Sequence, residues 1–164
     1  MSPRTRLRRA LLRFPRLFLR LCEPDDGELG LLGEAIAADH LARHGWRILR
    51  RRLRTRQGEA DLVVLRGRTL AVVEVKTGRA APFPRPAGRA LPDTIGRRWR
   101  PGGRCDARRL ARLERVAREV AAALGPPRPD SRPRARVDLV EVLLEVRARR
   151  FRVLHHEDLR EPLA

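Results

Sequence analysis

The sequence predicts an α/β domain in which a central mixed β-sheet is flanked by α-helices. Two apolar, β-branched runs lie on either side of Arg66-Gly67-Arg68, which is the pattern of a β-hairpin. Both runs are continuously apolar, so we expect this part of the sheet to be buried on both faces. Stretches with helical spacing of apolar residues precede and follow the hairpin and predict the helices that cover it. The 164 residues are enough for a single domain with one core.

A helix and a strand are predicted before the hairpin. The helix runs from Glu28 to about His44, and Gly45 follows as its stop signal. The strand runs from Trp46 to Leu53, and a series of arginines leads from it into the hairpin. The apolar residues whose spacing indicates the helix are Leu29, Leu32, Ile36 and Leu41.

A second helix and two closing strands are predicted after the hairpin. The helix runs from Asp106 to Leu124 and ends at Gly125-Pro126. The two strands are predicted from Arg136 to Val146 and from Phe151 to Leu154, with a charged turn between them.

Three segments stand apart from the rest of the predicted domain, which spans residues 28–155. Residues 1–27 form a basic N-terminal extension, either a poorly ordered tail or an appended arm that touches nucleic acid or an anionic surface. Residues 77–104 form an insertion rich in Pro, Gly and Arg, either a substrate clamp that orders on binding or an unstructured linker. Residues 156–164 form a C-terminal tail.

The chain is strongly basic, with a net charge of +18 and a pI of about 11.8, which indicates a polyanionic partner such as nucleic acid. Its few aromatic residues argue against a stacking platform for single strands and favour contacts to the phosphate backbone. The two cysteines form neither a zinc motif nor a disulfide framework, so a reducing cytoplasm is expected. No apolar run reaches the roughly 18 residues that a membrane span needs.

The expected register of the hairpin brings charged residues together at its open end. If Leu65 pairs with Leu70 across the turn, Asp61 lies directly opposite Glu74. Lys76 is two residues beyond Glu74, so the period of a strand puts both side chains on one face. Two facing carboxylates at the end of a buried hairpin repel each other, and a divalent cation such as Mg²⁺ or Mn²⁺ would remove that penalty.

Lys76 is the single lysine among the 38 Lys and Arg residues. A sequence that otherwise uses only arginine keeps a lysine where a compact point charge, or one whose pKa shifts, is needed. We therefore predict that Lys76 positions or activates a water molecule for attack on a phosphoryl group. The alternative is an exposed hairpin end at which a lysine neutralises two surface acids.

The sequence Gly58-Glu59-Ala60-Asp61, followed by Glu74-Val75-Lys76, resembles the core of the PD-(D/E)xK nuclease superfamily. Within that superfamily the chain looks most like the YraN family of small bacterial proteins, whose nearest described relatives are Holliday-junction resolvases. The resemblance covers about residues 28–145, including Gly33-Glu34-Ala35 and Arg136-Val137-Asp138. It implies a restriction-endonuclease-like core and a metal-dependent endonuclease acting on DNA, with branched or junction DNA among the candidate substrates.

The resemblance also implies roles for the residues of the site. Asp61, Glu74 and the backbone carbonyl of Val75 would hold Mg²⁺ or Mn²⁺, and Lys76 would act on the attacking water. Glu34 would add a further catalytic carboxylate, through a coordinated water or a second ion.

Residues around this centre are expected to support it or to contact the substrate. Glu59 and Gln57 are expected to lie beside the metal ligands or to face DNA, whereas Asp138 is expected to be structural. The arginines expected to hold the nucleic-acid backbone are Arg52, Arg54, Arg56, Arg79, Arg108, Arg109 and Arg112.

Two other functions fit the same sequence. A nucleic-acid-binding accessory protein of DNA repair or recombination would retain the fold without cutting, and a metal-free basic protein would bind RNA or ribosomes. Dependence on a divalent metal separates these from a nuclease, whereas salt-dependent binding is common to all three. A homodimer is left open, since an enzyme that cuts both strands of a junction needs two sites.

Overall fold

The computed structural model describes residues 3–79, 107–124 and 134–159, which form four helices and five strands. The two helices and five strands predicted above are all present, close to their predicted bounds. The helices are α1 (Pro3–Leu11), α2 (Pro15–Leu21), α3 (Asp26–Arg43) and α4 (Ala107–Ala123). The strands are β1 (Arg47–Arg54), β2 (Glu59–Arg66), β3 (Thr69–Arg79), β4 (Arg134–Glu145) and β5 (Arg150–His156).

The five strands form one mixed sheet in the order β1-β2-β3-β4-β5. Neighbouring strands are antiparallel except for β3 and β4, which run parallel. A parallel pair needs a crossover connection, and the chain between β3 and β4 contains α4. The predicted α/β fold with a central mixed sheet is therefore confirmed, and it is consistent with a restriction-endonuclease-like core.

The β2–β3 hairpin has the predicted register. Leu65 pairs with Leu70, and the pairing continues as far as Leu62 and Val73. Beyond that pair, the side chain of Asp61 accepts a hydrogen bond from the backbone N–H of Val75 at 2.7 Å. A carboxylate oxygen is thus the acceptor for this β3 amide at the point where the ladder ends.

A helical layer covers each face of the sheet. On one face α3 packs over a core that contains Leu62 and Val73, and on the other α4 packs over Val63 and Val72. Because successive strand residues point to opposite faces, β2 and β3 must be apolar on both sides, which accounts for their continuous apolar runs.

The N-terminal segment differs from the appended arm expected for residues 1–27. Its helices α1 and α2 join the α3 side of the domain, where Phe18 is fully buried and Leu12 and Leu19 are nearly so. Arg8 of α1 also donates two hydrogen bonds to Glu28 of α3, from Nε to Oε1 at 2.8 Å and from Nη2 to Oε2 at 2.6 Å. The apolar residues between the arginines are the buried ones, so the segment packs as part of the domain.

Two strands extend into the segments expected to be an insertion and a C-terminal tail. Strand β3 continues to Arg79, so the first residues of the 77–104 insertion belong to the sheet, and the remainder lies outside the described residues. In the 156–164 tail, His156 ends β5, and the backbone N–H of Leu159 donates to the carbonyl of Val137 at 2.8 Å. The tail therefore packs on β4 as far as residue 159. Across the described ranges, no helix is long and apolar enough to cross a membrane.

Candidate active site

Glu74 is the centre of a cluster of charges on the α4 face of the sheet. It is only 2% exposed, yet two cations contact its carboxylate. Lys76 donates to Oε1 at 2.6 Å, and Arg109 of α4 donates to Oε2 through Nη2 at 2.5 Å and Nε at 3.1 Å. The side chains of Glu74 and Lys76 thus meet on one face, as the strand period predicts.

Asp61 lies next to this cluster in an environment that disfavours its charge. Burial, together with the negative charges of Glu74 and Glu34, raises the pKa of its carboxyl group to about 6. The hydrogen bond from Val75 and the positive charge of Arg109 act in the opposite direction but do not offset the rise. The structure therefore brings Asp61 within electrostatic reach of both other predicted carboxylates.

Glu34 approaches from the opposite face of the sheet, where it forms a fork-to-fork ion pair with Arg52 of β1. The Arg52 Nε and Nη2 atoms donate to Glu34 Oε2 and Oε1 at 2.7 and 2.8 Å, and this bonding raises the pKa of Arg52. Arg52 has a backbone φ of 49° and lies between two residues that pair regularly with β2. The irregular backbone of β1 thus occurs at the residue whose side chain contacts Glu34 of α3.

A close contact between Gly33 and Thr77 holds α3 against β3 beside the charged cluster. A Cβ atom on Gly33 would lie 1.7 Å from the Thr77 hydroxyl oxygen and 2.7 Å from the Thr77 Cβ. Only glycine allows so close an approach. Because Gly33 precedes Glu34 and Thr77 follows Lys76, this contact sets the spacing between the two catalytic candidates.

Comparison with known proteins places this chain in a family. The sequence model of the uncharacterised protein family UPF0102 matches residues 33–142, which include Glu34, Asp61, Glu74 and Lys76. The chain belongs to this family. That assignment confirms the YraN-like part of the resemblance, and it assigns no activity.

Individual UPF0102 proteins match over different lengths. The protein from Symbiobacterium thermophilum is 37% identical over 115 residues, covering 70% of this chain and 80% of the relative. The protein from Paenarthrobacter aurescens is 35% identical over 115 residues, covering 70% and 79%. A shorter match of 48 residues to the Rhizorhabdus wittichii protein is 62% identical and covers 29% of this chain and 41% of that relative.

The remaining acidic and amide residues predicted for the site of this UPF0102 protein lie at the β1–β2 connection. Glu59 is partly exposed and lies 3.5 Å from Arg54, measured from Oε2 to Nε. Gln57 is exposed, and its backbone N–H donates to the hydroxyl of Thr55 at 3.0 Å. Arg56 is exposed beside it. These residues form a polar, accessible rim, and neither Glu59 nor Gln57 takes part in the Glu74 cluster.

The predicted substrate-binding arginines fall into different environments. Arg109 is held by Glu74, and the stem of Arg112 packs over Gly58, where a Cβ atom would lie 2.6 Å from Arg112 Cδ. Arg108 is exposed on α4. Arg79 donates to the Asp26 carboxylate and to the carbonyl of Pro24, so it ties the end of β3 to the start of α3.

Sequence reasoning missed a carboxylate–imidazole pair beside Lys76. Glu141 of β4 is the register partner of Lys76, and the regular alternation along β4 puts its side chain on the same face. It is 5% exposed, and its Oε2 lies 3.0 Å from the Nε2 atom of His156. An acid within the apolar run of β4 was the available signal, since an acid is costly at a buried position unless it is paired.

Asp138 lies on the other face of β4 in a separate network. It is fully buried, and its carboxylate contacts Arg136, His155 Nε2 at 2.8 Å and the backbone N–H of Asp158 at 2.9 Å. These contacts tie β4, β5 and the following residues together. They agree with the structural role expected for Asp138.

The donors at the centre of the site suit a hard divalent cation. Asp61 and Glu74 carry carboxylate groups, and Val75, whose carbonyl was predicted as a third ligand, lies between Glu74 and Lys76 along β3. Mg²⁺ needs only one or two protein carboxylates, because waters and substrate phosphates complete its coordination. No group of three or more His, Cys, Asp or Glu side chains with metal-binding geometry occurs among residues 3–79, 107–124 and 134–159. Asp61 and Glu74 could therefore hold such an ion only together with water and substrate oxygens.

Proposed function

We propose that this protein is a metal-dependent endonuclease that hydrolyses phosphodiester bonds in DNA, including branched or junction DNA. The observation that carries the proposal is the buried Glu74 carboxylate, which contacts Lys76 and Arg109 beside an Asp61 whose pKa is raised to about 6. Burial of several charges at one point is destabilising unless they are used or neutralised, and such perturbed groups concentrate at functional sites.

The predicted cofactor is Mg²⁺ or Mn²⁺, held by Asp61, Glu74 and the Val75 carbonyl. Bound there, the cation would offset the negative charge that develops on the phosphoryl group. Its charge would also favour the ionised form of Asp61, which burial disfavours in the free protein.

Lys76 donates to one oxygen of the Glu74 carboxylate, and Arg109 donates to the other. Lys76 is 28% exposed, so its ammonium group is accessible to a water molecule or a phosphate oxygen while Glu74 holds it in place. We assign Lys76 the task of orienting the attacking water. Arg109 positions Glu74, and Glu141 with His156 borders Lys76 on the next strands.

Glu34 contributes from the other side of Asp61, where Arg52 orients its carboxylate. The net charge of +18 and the exposed arginines around the β1–β2 connection supply the attraction to a phosphate backbone. DNA is favoured over RNA by the resemblance to the PD-(D/E)xK nucleases.

A second candidate function is a nucleic-acid-binding accessory protein that does not cut. One observation favours it: Glu74 is already neutralised by two cations, so a metal ion must share or displace a contact. Such a protein would bind the same DNA without any requirement for a divalent metal.

The deciding experiment measures cleavage of a labelled four-way junction, with linear duplex and single strand of matched sequence as controls. Each is incubated with Mg²⁺ or Mn²⁺, with EDTA as the blank. We expect metal-dependent cleavage that Lys76→Ala and Asp61→Ala both abolish, while binding in EDTA persists. Cleavage by both variants at the wild-type rate would refute the mechanism, and tight binding without cleavage under either metal would establish the accessory protein.

A further inference from the structure

A basic groove lies between α1, α3 and β1, beside the Glu34 side of the candidate site. Its volume is about 750 Å³. Its charged walls come from three segments that are distant in sequence, namely Arg9 and Arg13, Glu34 and Asp39, and Arg51 and Arg52. Arg9, Arg13 and Arg51 are not among the seven arginines expected above to hold the nucleic-acid backbone, although Arg9 and Arg13 belong to the N-terminal segment that was considered as an arm touching nucleic acid.

The acidic side chains of the groove are already neutralised, whereas three of its four arginines are not. Glu34 is paired with Arg52, and Asp39 with Arg43 at 3.1 Å. The side chains of Arg9, Arg13 and Arg51 are exposed, and they have no ion-pair or hydrogen-bond partner within residues 3–79, 107–124 and 134–159. Three uncompensated positive charges in one concave surface are typical of a site for a polyanion.

The groove is preformed because α1 is fixed to the domain at two points. The Arg8–Glu28 ion pair joins α1 to the first turn of α3, and Arg8 also stacks over the ring of the buried Phe18 at 5.5 Å. Leu12, which is 6% exposed, enters the core immediately after α1. These contacts hold the first wall of the groove opposite α3, although α1 lies before residues 33–142 that match the UPF0102 model.

Glu34 connects the groove to the catalytic candidates. It forms part of the groove wall, and its charge contributes to the raised pKa of Asp61. A phosphodiester chain that extends from Asp61 past Glu34 would therefore reach the groove that carries Arg9, Arg13 and Arg51. A membrane surface fits less well, since a flat bilayer cannot enter a concave groove.

We propose that this groove binds the phosphodiester backbone of the nucleic acid on one side of the cleavage site. The inference rests on the proposed function for its substrate, but it concerns binding alone. It is therefore tested in EDTA, where the chemistry of the site does not operate.

The test compares two triple variants that lose the same charge. The groove variant is Arg9→Gln, Arg13→Gln and Arg51→Gln. The control variant is Arg47→Gln, Arg68→Gln and Arg118→Gln, which are also exposed. These lie at the opposite end of the sheet: Arg47 pairs with Leu65 near the hairpin turn, Arg68 is in that turn, and Arg118 lies against the start of β4.

The dissociation constant for a labelled duplex with a single-stranded arm is measured over a range of KCl concentrations, with thermal unfolding as a check on folding. Three lost phosphate contacts should weaken binding about tenfold or more and lower the slope of log K against log salt by roughly 2–3. The control variant should keep a slope close to that of the wild type. Equal weakening in both variants, or none in the groove variant, would overturn the proposal.

Two further measurements separate this inference from the proposed nuclease function and from membrane binding. Because binding is measured in EDTA, a wild-type protein that fails to cleave the junction with Mg²⁺ or Mn²⁺ would remove the proposed nuclease function and leave the result for the groove intact. Vesicles of phosphatidylcholine with phosphatidylglycerol test the membrane alternative. If the groove variant loses vesicle binding but keeps DNA binding, the groove serves a membrane and the proposal is wrong.

Discussion

The contact between Gly33 and Thr77 allows a sharp test of how α3 is held against the sheet. Replacing Gly33 with Ala adds a methyl group whose carbon would lie 1.7 Å from Thr77 Oγ1 and 2.7 Å from both Thr77 Cβ and Cγ2. A change of rotamer at Thr77 does not relieve the clash, because its Cβ is fixed to the backbone. Helix α3 and strand β3 must therefore move apart by roughly 1 Å to restore an ordinary carbon–carbon contact.

The size of the effect follows from two opposing contributions. Overpacking of this kind destabilises the folded state by about 1–3 kcal/mol, whereas replacing glycine by alanine within a helix returns up to about 1 kcal/mol. Since the contact involves backbone as well as side chain, we expect a net loss of about 1–2 kcal/mol. For a chain of this size that lowers Tm by roughly 2–8 °C.

Gly30 provides a matched control on the same helix. A Cβ atom there has nothing within 4 Å, so Gly30→Ala should raise Tm by a few degrees through helix propensity alone. Thermal unfolding of the two variants should therefore shift in opposite directions. In addition, Thr77→Gly should partly rescue Gly33→Ala in a double-mutant cycle, because it removes all three clashing atoms.

The functional readout is cleavage of the junction substrate. The clash separates the residue before Glu34 from the residue after Lys76, and a displacement of about 1 Å at a catalytic group can cost on the order of 10²-fold in rate. If Gly33→Ala were as stable as Gly30→Ala, the contact that we describe would not exist in solution. Unchanged cleavage in a destabilised variant would show instead that it does not position the site.

Three further predictions concern the charged residues of the site. Lys76→Arg should lower cleavage by about 10²-fold or more with little change in binding in EDTA, since a planar fork cannot replace a compact ammonium; near-normal cleavage would remove Lys76 from the mechanism. The pKa of Asp61 is raised from 3.8 to about 6, so its ionisation destabilises the fold as pH rises through that window. Asp61→Asn should therefore be more stable than the wild type above pH 6, by about 1–3 kcal/mol in metal-free thermal unfolding, and equally stable below pH 4; a gain that is the same at both pH values would contradict the assigned cause. His156→Gln should lower the cleavage rate with little change in Tm, because His156 lies with Glu141 on the Lys76 face. His155→Gln should lower Tm with little change in the cleavage rate, because His155 belongs to the Asp138 network. Identical effects of the two substitutions would show that His156 is only structural.

Local sequence was sufficient to predict the hairpin and the contact between Glu74 and Lys76. The Arg66-Gly67-Arg68 turn indicated the register, and the two-residue period placed Glu74 and Lys76 on one face. These features depend on residues that are neighbours along the chain, where backbone geometry leaves few alternatives. The continuous apolar runs likewise predicted a sheet covered on both faces.

Contacts between distant segments could not be predicted in the same way. Arg109 was expected to hold DNA, and its contact with Glu74, 35 residues earlier in the chain, was not foreseen. The pairing of Glu34 with Arg52 depends on a left-handed backbone conformation in β1 that no local pattern indicates. Helical periodicity shows which side of α4 is buried, but the partner of each residue depends on how the helix sits on the sheet.

In the N-terminal segment, too, local sequence and tertiary structure determined different features. Its composition determined that it is basic and partly apolar, and several arginines interrupt every apolar run. Only the tertiary structure decided that Phe18 and Leu19 enter the core, because their burial requires the surface that α3 and the sheet provide together. The sequence by itself determined the elements and the chemistry at their ends, since these depend on local geometry. The tertiary structure decided which charges meet, since that depends on packing across the two faces of the sheet.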